Sequence, residues 1–266
     1  MLNSLTGATR VYVVVGDPIT QVKSPNGVTG AFAARGHDAV LVPMHVGALD
    51  VDALIVALGR TRNVDGMLVT VPHKFAAHKH CATASERSHI LTATNILRRN
   101  ADGSWDGDMV DGPGFVKGVR LGGFELSGKR ALLVGAGGAG SAIGLELLRS
   151  GVAALAVHDS DVARRDRLLD RLRVHCSAGL HVGSDDPSGF DLVVNATPAG
   201  MRDDDAVPVQ LERLRPEMFV GDVITVPEVT PLLYAARRAG CRTSTGVDMF
   251  NAELDLQLDF FLGPVA

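Results

Sequence analysis

The sequence predicts an α/β protein built in two lobes. Short apolar runs alternate with amphipathic stretches of helical spacing, which is the signature of repeated βα units and parallel strands. Glycine is in excess, at 30 of 266 residues, while aromatics make up only 5%; about 11% glycine stands against a usual value near 7%. An Ala/Val/Gly/Leu-rich chain of this kind suits helix-covered sheets better than a β-sandwich. The length of 266 residues also exceeds one ordinary domain and fits one large or two modest ones.

The elements follow in order. Tyr12–Val15 is a buried strand ended by Gly16. Ser24-Pro25 predicts a helix start, with Ser at the cap and Pro at the first helical position. Ala39–Val42 is a second strand, and Asp50–Leu58 a helix with Val51, Leu54, Ile55 and Leu58 on one face. Met67–Val71 is a strand stopped by Pro72, and a short strand lies around Asn95–Leu97. Ala101–Ser104 reads as a turn and Asp111–Gly114 as a breaker cluster, with Trp105 a packing anchor in a loop. Beyond it, Lys129–Val134, Ala154–Val157, Leu192–Val194 and Phe219–Val220 read as strands. Ser141–Arg149, Val162–Val174, Leu232–Ala239 and Met249–Phe261 read as helices. Crossovers between parallel strands should be right-handed.

Charge and cysteine usage narrow the class. With 26 Lys+Arg against 30 Asp+Glu, no net basic charge would drive binding to nucleic acid or an anionic membrane. The Arg164–Arg173 stretch alternates with Asp166 and Asp170 and reads as a solvated helix face. Cys81, Cys176 and Cys241 are widely spaced and odd in number, so neither a disulfide framework nor a zinc pattern is expected. His78 and His80, two residues apart, do not share a helix face, and no metal site is expected. His73 reads as a surface histidine that could tune its neighbour Lys74. Residues 1–10 lack a signal-type apolar core, and no apolar run reaches the roughly 20 residues of a membrane span. A soluble cytoplasmic protein is the expectation.

Gly135-Ala136-Gly137-Gly138-Ala139-Gly140 follows a strand and opens a helix. That is the context a dinucleotide-binding turn requires: glycines permit close approach of a pyrophosphate, and the helix N-terminus offers N–H groups and its positive dipole end. Asp159 ends the next strand, 19 residues beyond Gly140. A carboxylate there accepts from a ribose 2′-hydroxyl and repels a 2′-phosphate, so NAD is expected in preference to NADP. Arg164 and Arg165 could reach a phosphate but read as solvated helix residues. Lys74 follows a strand end, and Asp111 stands at a later chain reversal. A lysine and a carboxylate together can move a proton to or from an alcohol while hydride leaves its carbon.

The order of motifs resembles the shikimate dehydrogenase family over nearly the whole chain. The segments that carry the resemblance are Gly16–Ile19 with Ser24-Pro25, Gly66–Lys74 (GMLVTVPHK), Ala93–Leu97, Gly107–Gly114 (GDMVDGPG) and the Gly135–Gly140 turn. Asn195–Met201 (NATPAGM), Pro227 with Thr230–Leu233, and Gly246 with Met249 complete it. The resemblance implies that Lys74 and Asp111 are the catalytic pair. It implies that Thr70 and Asn95 bond substrate hydroxyls and that Ser24 meets the substrate carboxylate, with Thr225 and Glu253 also in the substrate site. Gly135, Ala136, Gly137, Gly138 and Ala139 would hold the dinucleotide, bordered by Asp159, Asn195, Thr197, Gly246 and Met249.

Several positions depart from the family pattern. Val22 replaces a serine, Leu68 an asparagine, Met109-Val110 an Asn-Thr pair, Thr225 a tyrosine and Glu253 a glutamine. The cofactor-side Asn-Arg-Thr is His158-Asp159-Ser160. An apolar side chain in place of a polar one leaves a substrate oxygen unpaired, at about 1–3 kcal/mol each. Glu253 would repel a nearby substrate carboxylate.

The resemblance thus implies a substrate-binding catalytic domain, residues 1–114 plus 245–266, around a Rossmann-like dinucleotide domain, residues 115–244. It implies reversible oxidation of a ring hydroxyl of shikimate, quinate or a related cyclic hydroxy acid to the ketone. The shikimate pathway of aromatic amino acid biosynthesis would be its setting, and the protein a monomer or homodimer without nucleic-acid or membrane partners. The alternatives are a ligand sensor on the same fold and the same chemistry on another cyclic alcohol.

Overall fold

The computed structural model describes residues 5–175, 179–202 and 204–263. Cys176 and the first four residues of the polar N-terminal stretch lie outside the described residues. The chain divides into two compact units. One comprises the residues up to Val110 with those from Leu254 on, and the other Asp111–Glu253.

The first unit begins with β1 (Arg10–Gly16), α1 (Ser24–Ala34), β2 (Ala39–His45), α2 (Val51–Gly59) and β3 (Val64–Val69). It continues with α3 (Lys74–His78), β4 (Cys81–Ala84), α4 (Glu86–Leu91), β5 (Ile96–Arg99) and β6 (Trp105–Asp108). Among the described residues these strands form a six-stranded sheet in the order β2-β1-β3-β5-β6-β4. It is mixed: β3 and β5, and β5 and β6, are antiparallel, while β1 is parallel to both its neighbours.

Alternation of side chains puts two apolar layers on this sheet. Val13, Val15, Met67, Val69 and Leu97 face α2 through Val51, Ile55 and Leu58. Tyr12, Val14, Leu68 and Ile96 face Val28 and Phe32 of α1, with Leu258 and Phe261 from the C-terminal helix. The rings of Tyr12, Phe32 and Phe261 cluster, Tyr12 lying 4.5 and 4.7 Å from the other two. Burial there pushes the Tyr12 phenol up to about 12. Filling such a site with a Leu or Phe rather than leaving it to water is worth about 1.5–3 kcal/mol per side chain.

The second unit contains α5 (Asp111–Leu121), β7 (Arg130–Val134), α6 (Gly138–Arg149), β8 (Ala154–His158), α7 (Val162–Arg173) and β9 (Gly179–Val182). Then come β10 (Leu192–Asn195), β11 (Phe219–Asp222), α8 (Pro231–Arg238) and β12 (Arg242–Ser244). The chain closes with α9 (Gly246–Leu262), whose residues to Glu253 belong to this unit and the rest to the first. The strands pair in the order β12-β11-β10-β7-β8-β9, parallel throughout. Parallel strands covered on both faces need near-continuous apolar sequence, and Leu132, Leu133, Val193, Val194 and Val220 are fully buried.

Several expectations need correction. Ser24 is the first residue of α1; Lys23 holds the cap position and makes no side-chain cap bond. Asp111–Gly114 is the first turn of α5 and no breaker. Gly112 serves helix contact there, since a Cβ on it would strike the Ala142 carbonyl of α6. The helix after the glycine turn starts at Gly138, three residues before Ser141. Trp105 is a packing anchor, buried with its indole N–H donating to the Ile55 carbonyl at 3.3 Å, but it opens β6 rather than lying in a loop. His73 is buried, not at the surface. Strands β4, β9 and β12 carry no apolar run, being short edge strands.

Candidate active and cofactor sites

In the first unit the chain ends of β3 and β5 gather the expected substrate groups. The Val69 amide donates to the Asn95 carbonyl at 2.7 Å, the Thr70 amide to the Val15 carbonyl at 2.9 Å, and the Thr94 amide to the Lys74 carbonyl at 2.9 Å. Thr70, Lys74 and Asn95 are therefore fixed to one backbone frame. Lys74 opens the short α3, and His73 before it is locked by its Nε2 against the Val46 carbonyl at 2.7 Å. Asn95 is buried, and its Oδ1 accepts the Val110 amide at 2.8 Å, which sets the orientation of the amide group. Gly16 is needed here, because a Cβ would collide with the Thr70 methyl. Ser24 lies nearly buried at the start of α1.

Behind Asn95 stands Asp108, whose carbonyl accepts the Asn95 amide at 3.0 Å. Its carboxylate takes Arg87 Nε at 2.8 Å, Arg87 Nη2 at 2.5 Å, the Ser85 hydroxyl and the Met109 amide. Burial alone would raise this carboxyl. The Arg87 guanidinium and the Ser85 hydroxyl outweigh that and hold it below the usual carboxylate range. The departing positions are apolar core: Leu68, Val110 and Met109 are buried, and Val22 packs on the cluster that holds Leu68 and Val110.

In the second unit, Asp111 is 4% exposed at the first turn of α5. One turn on, Gly114 lies against Glu253 of α9, where a Cβ would overlap the carboxylate. Asp111 lies one helical turn before Gly114, the residue that meets Glu253. Gly246 sits on the Val223 and Ile224 carbonyls, beside Thr225, and the backbone amide of Met249 approaches Gly118.

The glycine turn fits a dinucleotide. Gly135 has φ +104, and a Cβ there would strike Ala196 and Thr197. Gly137 caps α6 without a side-chain bond, and a Cβ on it would meet nothing within 4 Å. The crown of the turn is therefore open, and the N-terminal amides of a twelve-residue helix are offered to an anion. Beneath it, Asn195 Oδ1 accepts the Thr197 amide at 3.0 Å and hydroxyl at 2.6 Å, while Asn195 Nδ2 donates to the Ala199 carbonyl at 3.1 Å. Asn195 Nδ2 and the Thr230 hydroxyl also donate to Asp222 Oδ2, at 3.1 and 2.8 Å. Asp222 is wholly buried, and that burial pushes its carboxyl up to about 6 despite these donors.

The sequence alone puts His73 at the surface and assigns no role to Asp108 with Arg87 or to Asp222 with Thr230. Thr230-Pro231 carried a cap signal, since Thr230 does accept the Leu233 amide at the start of α8. Asp222 closes an apolar strand, where a carboxylate is conspicuous. Nothing local marked Asp108.

Among the described residues no group of three His, Cys, Asp or Glu is placed to hold a metal ion, and no helix is long and apolar enough to cross a membrane. Cys81 and Cys241 are free thiols, each pushed up by burial.

A mixed substrate-side sheet and a parallel sheet carrying a glycine turn define a two-unit, Rossmann-containing α/β protein. Comparison with known proteins supplies the family. Residues 14–97 match the model of the shikimate dehydrogenase substrate binding domain. The chain is 31% identical to shikimate dehydrogenase (NADP(+)) of Geobacter metallireducens, over 97% of this chain and 93% of that protein. It is 34% identical to shikimate dehydrogenase (NADP(+)) of Rubrobacter xylanophilus, over 91% and 87%. The structure of quinate dehydrogenase from Corynebacterium glutamicum in complex with NAD superposes with a TM-score of 0.86 at 28% identity, covering 96% and 94%. The chain belongs to the shikimate dehydrogenase family.

The expected preference for NAD is corrected by this finding, because the curated relatives are named for NADP(+). The physical reason lies in the placement of Asp159. Its carboxylate is turned onto the loop, accepting the Ala136 amide at 2.7 Å and the Asp161 amide at 2.8 Å. A carboxylate engaged by backbone amides is a brace of the turn. It also has Arg164 beside it, with Nη1 at 3.9 Å, a half-exposed cation that can meet a 2′-phosphate.

Proposed function

We propose that the protein catalyses reversible NADP+-dependent oxidation of a ring hydroxyl of shikimate, or of a related cyclic hydroxy acid such as quinate, to the ketone. The supporting observation is the common frame of Thr70, Lys74 and Asn95, in a chain of this family that also keeps an open glycine turn. A bound NADP+ would supply the acceptor for the hydride lost from the carbinol carbon. Lys74, with Asp111, takes the hydroxyl proton as the hydride leaves and returns it in the reverse direction. Thr70 and Asn95 hold ring hydroxyls, and Ser24 meets the carboxylate. Thr225 and Glu253 are assigned to the substrate site on the family resemblance alone. The amides of Gly135 to Ala139 receive the pyrophosphate, and Asn195, Thr197, Gly246 and Met249 border the cofactor.

Leu68 favours a substrate with one polar group fewer than shikimate on that side. It lies two residues before Thr70, at the position where the resemblance expects an asparagine, and is buried among apolar side chains. NADPH formation should be followed with shikimate and quinate for the wild type and Lys74→Ala. Turnover by the wild type that Lys74→Ala abolishes supports the assignment; equal turnover in both removes the role of Lys74.

A further inference from the structure

On the cofactor side of the second unit, the buried acid Asp222 is used by no step above. Asp222 ends β11, and three elements meet on its carboxylate: Asn195 at the end of β10, the Ile224 amide at 3.0 Å just after β11, and Thr230 at the start of α8. From Asn195 the chain of contacts continues outward. Asn195 holds both polar groups of Thr197, and the Thr197 hydroxyl accepts the Ala199 amide at 3.1 Å. Ala196 and Thr197 form the floor against which Gly135 lies, and Gly140 closes over Gly135 and Ala196. The glycine turn therefore rests on a loop tied to the sheet beneath in two ways: the Ala196 amide donates to the Val134 carbonyl at 2.7 Å, and the Asn195 side chain runs to Asp222.

We propose that Asp222 is a positioning residue for the dinucleotide: it holds Asn195, and through Asn195 and Thr197 it fixes the floor of the Gly135–Gly140 turn. This rests on the reading of that turn as the cofactor site. Asp222 acts through Asn195 and is fully shielded itself, so its loss should be felt in cofactor affinity before it is felt in chemistry.

Asp222→Asn keeps the shape but turns one acceptor into a donor. Whichever way the new amide is turned, an N–H of it faces either Asn195 and Thr230 or the Ile224 amide. NADPH binding should be measured by calorimetry, and steady-state constants determined for both substrates of the reaction. The expected result is a rise of about tenfold in the dissociation constant and KM for the dinucleotide, with kcat and the KM for the hydroxy acid within about twofold. Thr230→Val removes a donor that leads away from the loop, and should leave dinucleotide affinity within about twofold. If Asp222→Asn does not fold, Asn195→Leu severs the same link from the other end and must show the same cofactor-specific rise. Wild-type protein that binds no NADPH overturns the cofactor reading and this proposal together. Tight wild-type binding that Asp222→Asn, or Asn195→Leu in its place, leaves unchanged overturns this proposal alone. So does an equal loss in kcat and in both KM values, which would mark a merely structural residue.

Discussion

Asp108 and Asp222 end strands in different units, and each backs an asparagine of the proposed sites, Asn95 in one case and Asn195 in the other. Both are buried. Asp108 is matched by a guanidinium and sits below the usual carboxylate range, whereas Asp222 receives only neutral donors and is pushed up to about 6. Burial is common to the two, and the counter-charge decides the direction. Asp108 meets Asn95 through its backbone carbonyl while its carboxylate is held in an ion pair, whereas Asp222 meets Asn195 through a carboxylate that carries no counter-charge.

The largest expected effect lies in front of these acids. Lys74→Ala should lower kcat by at least about a hundredfold, the lower end of general acid–base contributions. Its thermal midpoint should hardly move, since Lys74 is only half-buried. Stopped-flow or steady-state NADPH formation reads the first quantity and a melting curve the second.

Next comes the ion pair. Arg87→Ala leaves the Asp108 carboxylate buried without its counter-charge, which should cost about 2–4 kcal/mol in urea unfolding at neutral pH. That cost should shrink as the pH falls far enough to protonate Asp108. An Arg87→Ala protein as stable as the wild type would mean that Ser85 and the Met109 amide suffice, and the contrast with Asp222 would lose its cause.

The pH dependence of Asp222 has the opposite sign from that of Asp108. Its folded value of about 6 lies above the ordinary 3.8. The stability it confers is full below pH 3.8 and is lost as the pH rises through 6, a difference of about 3 kcal/mol from those two values. Asp108, held low, instead adds stability above the ordinary carboxylate value and loses it as the pH falls through its folded value. Asp222→Asn should therefore gain on the wild type between pH 4 and pH 7. Unfolding curves at several pH values check this, and a constant difference would remove the raised titration.

The smallest effect belongs to the edge of the network. Thr230→Ser keeps both the cap on α8 and the hydroxyl donated to Asp222, so it should cost under about 1 kcal/mol. Thr230→Ala loses both and should cost about 1–2 kcal/mol. Paired melts of the two variants measure the difference.

Much of this architecture was legible in the sequence. The strand–glycine–helix passage at Val134–Gly138 could be read directly, because close packing of turn, helix and strand admits few residue types. The inner strands were legible as apolar runs for the same reason. The boundaries were not. Asp111-Gly112-Pro113-Gly114 contains two glycines and a proline, which locally argue against a helix, yet contact with Ala142 and Glu253 selects those small residues in one. Asp159 shows the same limit for function. Its position was readable, but whether its carboxylate faced a ligand or the Ala136 amide depended on the folded loop. Asp108 and Asp222 were beyond reach because their partners, Arg87 and Asn195, are 21 and 27 residues away.

The central claim is that this chain oxidises a cyclic hydroxy acid with NADP+, using Lys74. The most direct test is initial-rate NADPH formation with shikimate and with quinate, beside the same assays with NAD+ and with Lys74→Ala. The account predicts turnover of at least one acid, higher kcat/KM with NADP+, and loss of turnover in the variant. No turnover of either acid by the wild type, or undiminished turnover by Lys74→Ala, would contradict it.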